Sequence, residues 1–323
     1  MGTLYLDRRG ASLRLDGRRL VIEETDARPR GVPLALLERV VLQGQVRFDS
    51  SVLAALAEQG AAVVCLSARH SRRTALLVGT GHGDARRRLG QYRLALDAGA
   101  RLMLARRLIA AKLRAQIRLL DAASVRRPDA RKPLHDALDT LRRLAHAAGA
   151  AQSRDVLLGV EGAAAAAHYR GLAALFPPAL KFGGRTRRPP RDPVNAGLSL
   201  GYTLLHFEAV RASHGAGLDP LLGFYHEPAH GRESLACDLI EPLRPRLDGW
   251  VLALFRDRHL RAEDFVTDKG ACLLAKGGRQ TFYAGYERWV APARRYLRRE
   301  CYRLANGLLE GAPDWAEEDD NGG

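Results

Sequence analysis

The sequence lacks the residue patterns that define several common classes of protein. No Cys-x-x-Cys pair is present, which excludes a zinc knuckle or redox motif of the usual spacing; the cysteines are Cys65, Cys237, Cys272 and Cys301. No apolar run approaches the roughly 20 residues that a membrane-spanning helix needs. Residues 3–6 form too short an apolar stretch for a secretory signal. We therefore expect a cytoplasmic protein with reduced thiols and no membrane partner.

Acidic residues are scarce relative to basic ones. The chain of 323 residues has 51 Lys and Arg against 36 Asp and Glu, a formal net charge of +15. Five acids lie in the last ten residues, so the rest of the chain is more basic still. Such a charge attracts polyanions over long distances and favours nucleic-acid binding. The alternative is codon bias in a GC-rich genome, because nearly all the basic residues are arginine and alanine is abundant.

The first 80 or so residues have the pattern of strands and turns. Residues 11–15 alternate apolar and polar side chains, Asp16 and Gly17 predict a hairpin turn, and residues 20–22 return as the partner strand. Ser51 is a predicted cap for a short helix that Gly60 would end.

Beyond residue 92 the apolar residues recur with a helical period. Glycines and a run of charge over residues 81–92 predict a boundary. The fold class is therefore α+β, with a small N-terminal β-rich domain followed by a larger all-α domain. The predicted bounds are 1–85 for the β-rich domain, 86–92 for a linker, 93–312 for the helical domain and 313–323 for an acidic tail.

Prolines and arginines predict a basic loop at residues 183–193. After it, Asp192 and Pro193 have the order of a helix N-cap and first helical residue.

The densest group of functional residue types lies between residues 223 and 245. Asp238 and Glu241 are three residues apart, which places both carboxylates on one helix face. A preceding loop with glycine and proline lets His226 fold back over that face. Two carboxylates and an imidazole suit Mg²⁺ or Mn²⁺. The alternative is a solvated helix face with an unrelated histidine.

A second candidate is Glu161, an acid among apolar and small residues of a predicted helix. A carboxylate facing a helical interior is costly unless it is paired or binds a metal ion. The alternative is a partly exposed glutamate at a helix edge.

Three segments in this order resemble the CRISPR-associated adaptation integrase family. They are the Leu-Gly-Val-Glu-Gly segment that ends in Tyr169, residues 192–202, and residues 226–245. The resemblance covers the whole chain, because that family also joins an N-terminal β domain to a larger helical domain.

The resemblance implies that Glu161, His226 and Glu241 hold a catalytic Mg²⁺ or Mn²⁺. It gives Asp238 a supporting or alternative ligand role and Arg244 a contact with phosphate. The remaining predicted DNA contacts are Arg185, Arg187 and Arg188 of the basic loop. It further implies a homodimer that acts on DNA with the companion adaptation protein Cas-two.

Three hypotheses for function follow. The first is an integrase, in which the 3′-hydroxyl of a captured DNA fragment attacks a phosphodiester of the CRISPR repeat. The second is a metal-dependent nuclease for branched DNA that forms no joined product. The third is a DNA-binding scaffold without catalysis, which would be indifferent to metal and to replacement of Glu161.

Overall fold

The computed structural model describes residues 2–7, 10–24, 27–67, 73–79, 81–187 and 189–309. A β-rich amino-terminal part is followed by a mostly helical remainder, which confirms the predicted fold class. The strands are β1 (Gly2–Leu6), β2 (Ala11–Asp16), β3 (Arg19–Glu24), β4 (Ala27–Pro33), β5 (Leu37–Gln43), β6 (Val46–Phe48), β7 (Ala62–Leu66), β8 (Arg73–Leu77), β9 (Phe265–Asp268) and β10 (Ala271–Leu274). The helices are α1 (Ser50–Glu58), α2 (Ala85–Leu96), α3 (Ala98–Arg126), α4 (Arg131–Ala150), α5 (Arg154–Ala173), α6 (Pro193–Gly215), α7 (Ser234–Ile240), α8 (Arg244–Arg256) and α9 (Lys276–Gly307).

The amino-terminal strands form two four-stranded sheets, β1-β5-β7-β8 and β4-β3-β2-β6. The predicted hairpin is confirmed, since β2 and β3 pair antiparallel and Gly17 takes the positive φ of 55° that the turn requires. The prediction that Ser51 caps this helix is wrong. Helix α1 begins at Ser50, and Asp49 is its N-cap, without a side-chain capping bond.

The sheet that contains β5 is covered on both faces. Val40 and Leu42 pack toward the other sheet, whereas Val41 belongs to the core of the helical part. Because side chains alternate along a strand, one sheet can serve two cores. The β-rich part is thus joined to the helices by an extended apolar contact.

A buried cluster of charges crosses the same contact. Arg39 of β5 pairs with Glu208 of α6, and Arg294 of α9 pairs with both Glu208 and Glu287. Tyr5 of β1 donates a hydrogen bond to Glu287 Oε1 over 2.6 Å. The cluster therefore connects strands of the β-rich part to two long helices.

The Glu287 carboxyl should make stability fall in acid. Burial opposes its ionisation, but hydrogen bonds from Arg294 and Tyr5 outweigh burial and hold the pKa of Glu287 below its usual range. A lowered folded-state pKa contributes stability above the ordinary value of about 4.3, and that contribution is lost as pH falls through the folded-state pKa. We expect Glu287→Gln to be less stable than the parent at pH 7 and the difference to shrink below about pH 4.5. Urea unfolding from pH 7 to pH 3 checks this, and an unchanged difference would contradict it.

Residues 86–92, predicted as a linker, lie inside helix α2. Gly90 allows helix α2 to pack closely against Leu308, because a Cβ at this position would lie 2.5 Å from the carbonyl oxygen of Leu308. Arg87 and Gln91 of the same segment are buried against the helical part. The division at residue 85 and the outer bound of 312 remain predictions.

Helices α3, α4 and α5 pack against one another, and the largely buried α6 packs against α7, α8 and α9. The helix start predicted at Asp192 and Pro193 is confirmed, since the Asp192 carboxylate accepts a hydrogen bond from Asn195 N–H over 2.8 Å. The helical part also contains the β9–β10 hairpin, which the sequence did not predict. Among the described residues, no helix is long and apolar enough to cross a membrane. The predicted tail at 313–323 lies outside the described residues.

Candidate active site

Four separate segments bring charged side chains to one place in the helical part. Helix α3 supplies Lys112, helix α5 supplies Glu161, and the loop between α6 and α7 supplies His226. Glu241 begins a short 3₁₀ turn directly after α7, where Pro242 follows it. Proline has no N–H to continue the α-helical ladder, so the chain turns at this carboxylate.

Lys112 joins the two predicted carboxylate ligands. Its ammonium pairs with Glu161 and lies 2.6 Å from Glu241 Oε2. Glu161 is partly exposed, whereas Lys112 and Glu241 are almost fully buried. The structure therefore brings Glu161 and Glu241 together, with a cation between them.

Glu241 is held as an anion by two cations. Its burial alone would favour the neutral form, but Arg244 and Lys112 outweigh burial and lower the pKa of Glu241 to about 2. Arg244 Nε donates to Glu241 Oε1 over 2.8 Å. The other oxygen, Oε2, is buried and lies 2.6 Å from the Lys112 ammonium, so each carboxylate oxygen faces one cation.

Asp238 organises the loop that carries His226. It accepts backbone N–H bonds from Phe224, Tyr225 and His226 over 2.6, 2.9 and 3.0 Å. Its Oδ1 also lies 2.7 Å from His226 Nδ1. Both carboxylate oxygens are thus engaged within the chain, which favours the supporting role over the alternative of a direct ligand.

The contact with Asp238 orients the His226 ring. If Nδ1 carries the proton and donates it to Asp238, Nε2 has its lone pair free for a metal ion. Close approach of the loop also depends on Gly223, because a Cβ there would lie 2.7 Å from Asp238 Oδ2. Glycine is the residue that permits this approach.

We expect Asp238→Asn to weaken Mn²⁺ binding roughly 10- to 100-fold, the usual cost of losing a carboxylate that orients a ligand histidine. The amide has only one acceptor oxygen for the loop N–H groups and no negative charge to fix the imidazole tautomer. Titration calorimetry with Mn²⁺ measures the effect.

The matched control is Asp219→Asn, another loop carboxylate that accepts a backbone N–H, here from Leu221 over 2.8 Å. It should leave Mn²⁺ affinity unchanged. Equal affinities for Asp238→Asn and the parent protein would remove the positioning role.

A buried hydrogen-bond network that the sequence analysis missed lies beneath Arg244. The guanidinium of Arg244 lies over the Tyr202 ring, 4.7 Å from its centre. The Tyr202 hydroxyl donates to Asp248, whose other oxygen is 2.9 Å from His168 Nε2. Tyr169 donates in turn to the Tyr202 oxygen over 2.9 Å. This network fixes Arg244 and, through it, Glu241. The predicted segments contained Tyr169 and Tyr202, but only spatial proximity identifies Asp248.

The predicted DNA-contacting arginines occupy different environments. Arg185 is largely buried and donates to Asn195 Oδ1 over 2.9 Å and to Ser199 Oγ over 3.0 Å. Arg244 donates to Glu241, as described above. Arg187 is exposed, and Arg188 lies outside the described residues. Of these, Arg187 has the surroundings expected of a phosphate contact.

The donor set fits a divalent ion in its chemistry. Carboxylate oxygens with one imidazole nitrogen suit Mg²⁺ or Mn²⁺. Within the described ranges, however, no three His, Cys, Asp or Glu side chains converge closely enough to hold a metal ion. The Lys112 ammonium lies between Glu161 and Glu241.

The sequence and the fold correspond to a family of CRISPR-associated proteins. The family model for CRISPR associated protein Cas1 matches residues 4–288. The chain therefore belongs to the Cas1 family, which confirms the resemblance found in the sequence.

Individual relatives agree with this assignment. The chain is similar to the CRISPR-associated endonuclease Cas1 1 of Thermodesulfovibrio yellowstonii, with 37% identity over 313 residues that cover 96% of this chain and 98% of the relative. It shares its fold with a casposase bound to integration product (TM-score 0.81, 23% identity, 97% and 95% of the two chains). It also matches 36% of a chain in a Cas6-RT-Cas1–Cas2 complex (TM-score 0.82, 21% identity, 98% of this chain).

Proposed function

We propose that this protein is a metal-dependent DNA endonuclease and integrase of CRISPR adaptation, which inserts new DNA fragments into the CRISPR array. The observation that carries the proposal is that Glu161 of α5 and Glu241 of the turn after α7 meet at the buried Lys112 ammonium, with His226 close enough to help lower the pKa of Glu241. Membership of the Cas1 family and the similarity to a named endonuclease support it.

The residues proposed to hold the metal are Glu161, His226 and Glu241. Bound Mg²⁺ or Mn²⁺ would supply Lewis acidity at a phosphate oxygen and lower the barrier to attack. The chain's own contribution is to hold the donors ready. Arg244 keeps Glu241 ionised, and Asp238 turns Nε2 of His226 away from the loop backbone.

The reaction is a transesterification at phosphorus. The 3′-hydroxyl of the captured fragment forms a new P–O bond to the repeat, and the bond to the displaced 3′-oxygen breaks. The attacking hydroxyl loses its proton and the displaced 3′-oxygen gains one, so the repeat strand ends in a 3′-hydroxyl. Attack by water in place of the DNA hydroxyl gives strand cleavage. Catalysis of such a transfer rests on positioning and electrostatic stabilisation, to which donors held in place by neighbouring side chains contribute.

The proposed partners are DNA, a second copy of this chain, and the companion adaptation protein Cas2 (Cas-two). The net charge of +15 and the exposed Arg187 support contact with phosphate backbones. One protein of the same fold is a casposase bound to integration product, and another belongs to a Cas6-RT-Cas1–Cas2 complex, which supports the DNA and Cas2 assignments by analogy of fold. The homodimer rests on the family resemblance alone.

A joining assay tests the proposal. Labelled DNA with free 3′-hydroxyls is incubated with a supercoiled plasmid carrying a CRISPR repeat, Mn²⁺ and this protein, with and without Cas2. We expect label in the plasmid only with metal and only with an intact Glu241, and none with Glu241→Ala. Cleavage without joining would favour the branched-DNA nuclease, and DNA binding with neither reaction would favour the scaffold.

A further inference from the structure

Lys112 lies between the two carboxylates that are proposed to hold the metal ion. It comes from α3, whereas its partners Glu161 and Glu241 come from α5 and the turn after α7. Its ammonium contacts both carboxylates and is almost fully buried. A lysine side chain buried in this way requires paired charge to offset its loss of hydration.

The charges of the cluster balance without a metal ion. Glu161 and Glu241 carry two negative charges, and Lys112 and Arg244 carry two positive ones. Arg244 contacts only Oε1 of Glu241, so Lys112 is the cation placed between the two carboxylates. A divalent cation added at the same oxygens would be repelled by the ammonium at short range.

The two cations also differ in how easily they can leave. Arg244 is stacked on Tyr202 and fixed by the network beneath that ring. Lysine has a flexible four-carbon stem and a compact charge, and it can move away without disturbing its helix. Lys112 is thus the removable member of the pair.

We propose that Lys112 is an internal counter-ion, which occupies the metal position in the metal-free protein and which a divalent cation must displace from Glu161 and Glu241. This inference rests on the proposed metal-dependent function. It explains why the carboxylates stay together without metal, and it makes Lys112 a competitor that sets metal affinity.

The test compares Mn²⁺ affinity in Lys112→Met and in the full-length parent protein by titration calorimetry. Removal of the competing cation should tighten Mn²⁺ binding about tenfold. The matched control is Lys132→Met, the same substitution at an exposed lysine paired with Asp136, which should leave the affinity unchanged. Equal or weaker Mn²⁺ binding in Lys112→Met would overturn the proposal.

Thermal unfolding in EDTA gives a second readout that does not depend on activity. Lys112→Met should unfold at a lower temperature than the parent, because two carboxylates then face each other without a cation. Added Mn²⁺ should remove this difference in unfolding temperature. If the single variant does not fold without metal, Lys112→Met/Glu161→Gln removes the repulsion and should fold in EDTA. A double variant that is no more stable in EDTA than the single one would overturn the proposal.

Failure of the proposed metal-dependent function and failure of the proposed role of Lys112 give different results. If neither the parent nor Lys112→Met binds Mn²⁺, the metal-dependent function itself is wrong. If both bind Mn²⁺ with equal affinity, the metal site stands and the role of Lys112 as competitor is wrong.

Discussion

Glu241→Gln is expected to reduce the rate of DNA joining by about a thousandfold or more, equivalent to roughly 4 kcal/mol of transition-state stabilisation. The neutral amide replaces an anionic metal ligand. It also removes the negative charge that Lys112 and Arg244 contact, so the metal ion loses a donor while both cations remain. The initial rate of label transfer to the plasmid under saturating Mn²⁺ measures the effect.

The matched control is Glu227→Gln, the same change one residue after His226. Glu227 is partly exposed and pairs with Arg101 and Arg154 instead of with the metal ligands. Its rate should stay within about threefold of the parent, because partly exposed ion pairs contribute little energy. A rate near the parent level in Glu241→Gln would exclude this carboxylate as a catalytic ligand.

Glu208→Gln is expected to destabilise the protein by about 3–5 kcal/mol, the usual result of removing one partner from a buried ion pair. Arg39 is 1% exposed, and Glu208 is its nearest negative charge. Its Nε and Nη2 atoms already lack hydrogen-bond partners. Without Glu208, both Arg39 and Arg294 depend on the single carboxylate of Glu287. Urea unfolding at pH 7 measures the loss.

The double variant Arg39→Met/Glu208→Gln separates charge from packing. Replacing both members of a buried pair is often close to neutral, so the double variant should regain more than half of the lost stability. Asp136→Asn on the exposed pair with Lys132 is the control, with an expected change within about 0.5 kcal/mol. A double variant no more stable than Glu208→Gln would contradict the charge argument.

Local signals in the sequence predicted the local structure well. The turn at Asp16 and Gly17 and the helix start at Asp192 and Pro193 depend on the conformations of a few neighbouring residues, and both are confirmed. The fold class follows from periodicity, which each helix or strand shows along its own length. Gly90 contributed to the prediction of a linker at residues 86–92, because a glycine that permits close packing looks the same in sequence as one that ends a helix.

Contacts between distant segments were not visible in the sequence. Lys112 lies in an Ala- and Arg-rich helix where most charges face solvent, and its pairing with Glu161 and Glu241 depends on three elements meeting. Arg39 lies on the same face of β5 as the buried Val41, so the alternation of the strand predicts its burial. Nothing nearby in the chain indicates that its counter-charge comes from α6. Arg185 donates hydrogen bonds to Asn195 and Ser199 of α6, which its basic loop did not indicate, and its contact with DNA stays a prediction.

The most direct test of the account is a crystal structure of the protein with Mn²⁺, with anomalous scattering used to locate the ion. We expect one strong peak bounded by Glu161, His226 Nε2 and Glu241 Oε2, with the Lys112 ammonium moved away from both carboxylates. An ion bound elsewhere, or a site in which Lys112 still bridges Glu161 and Glu241, would contradict the assignment of these residues as the metal centre.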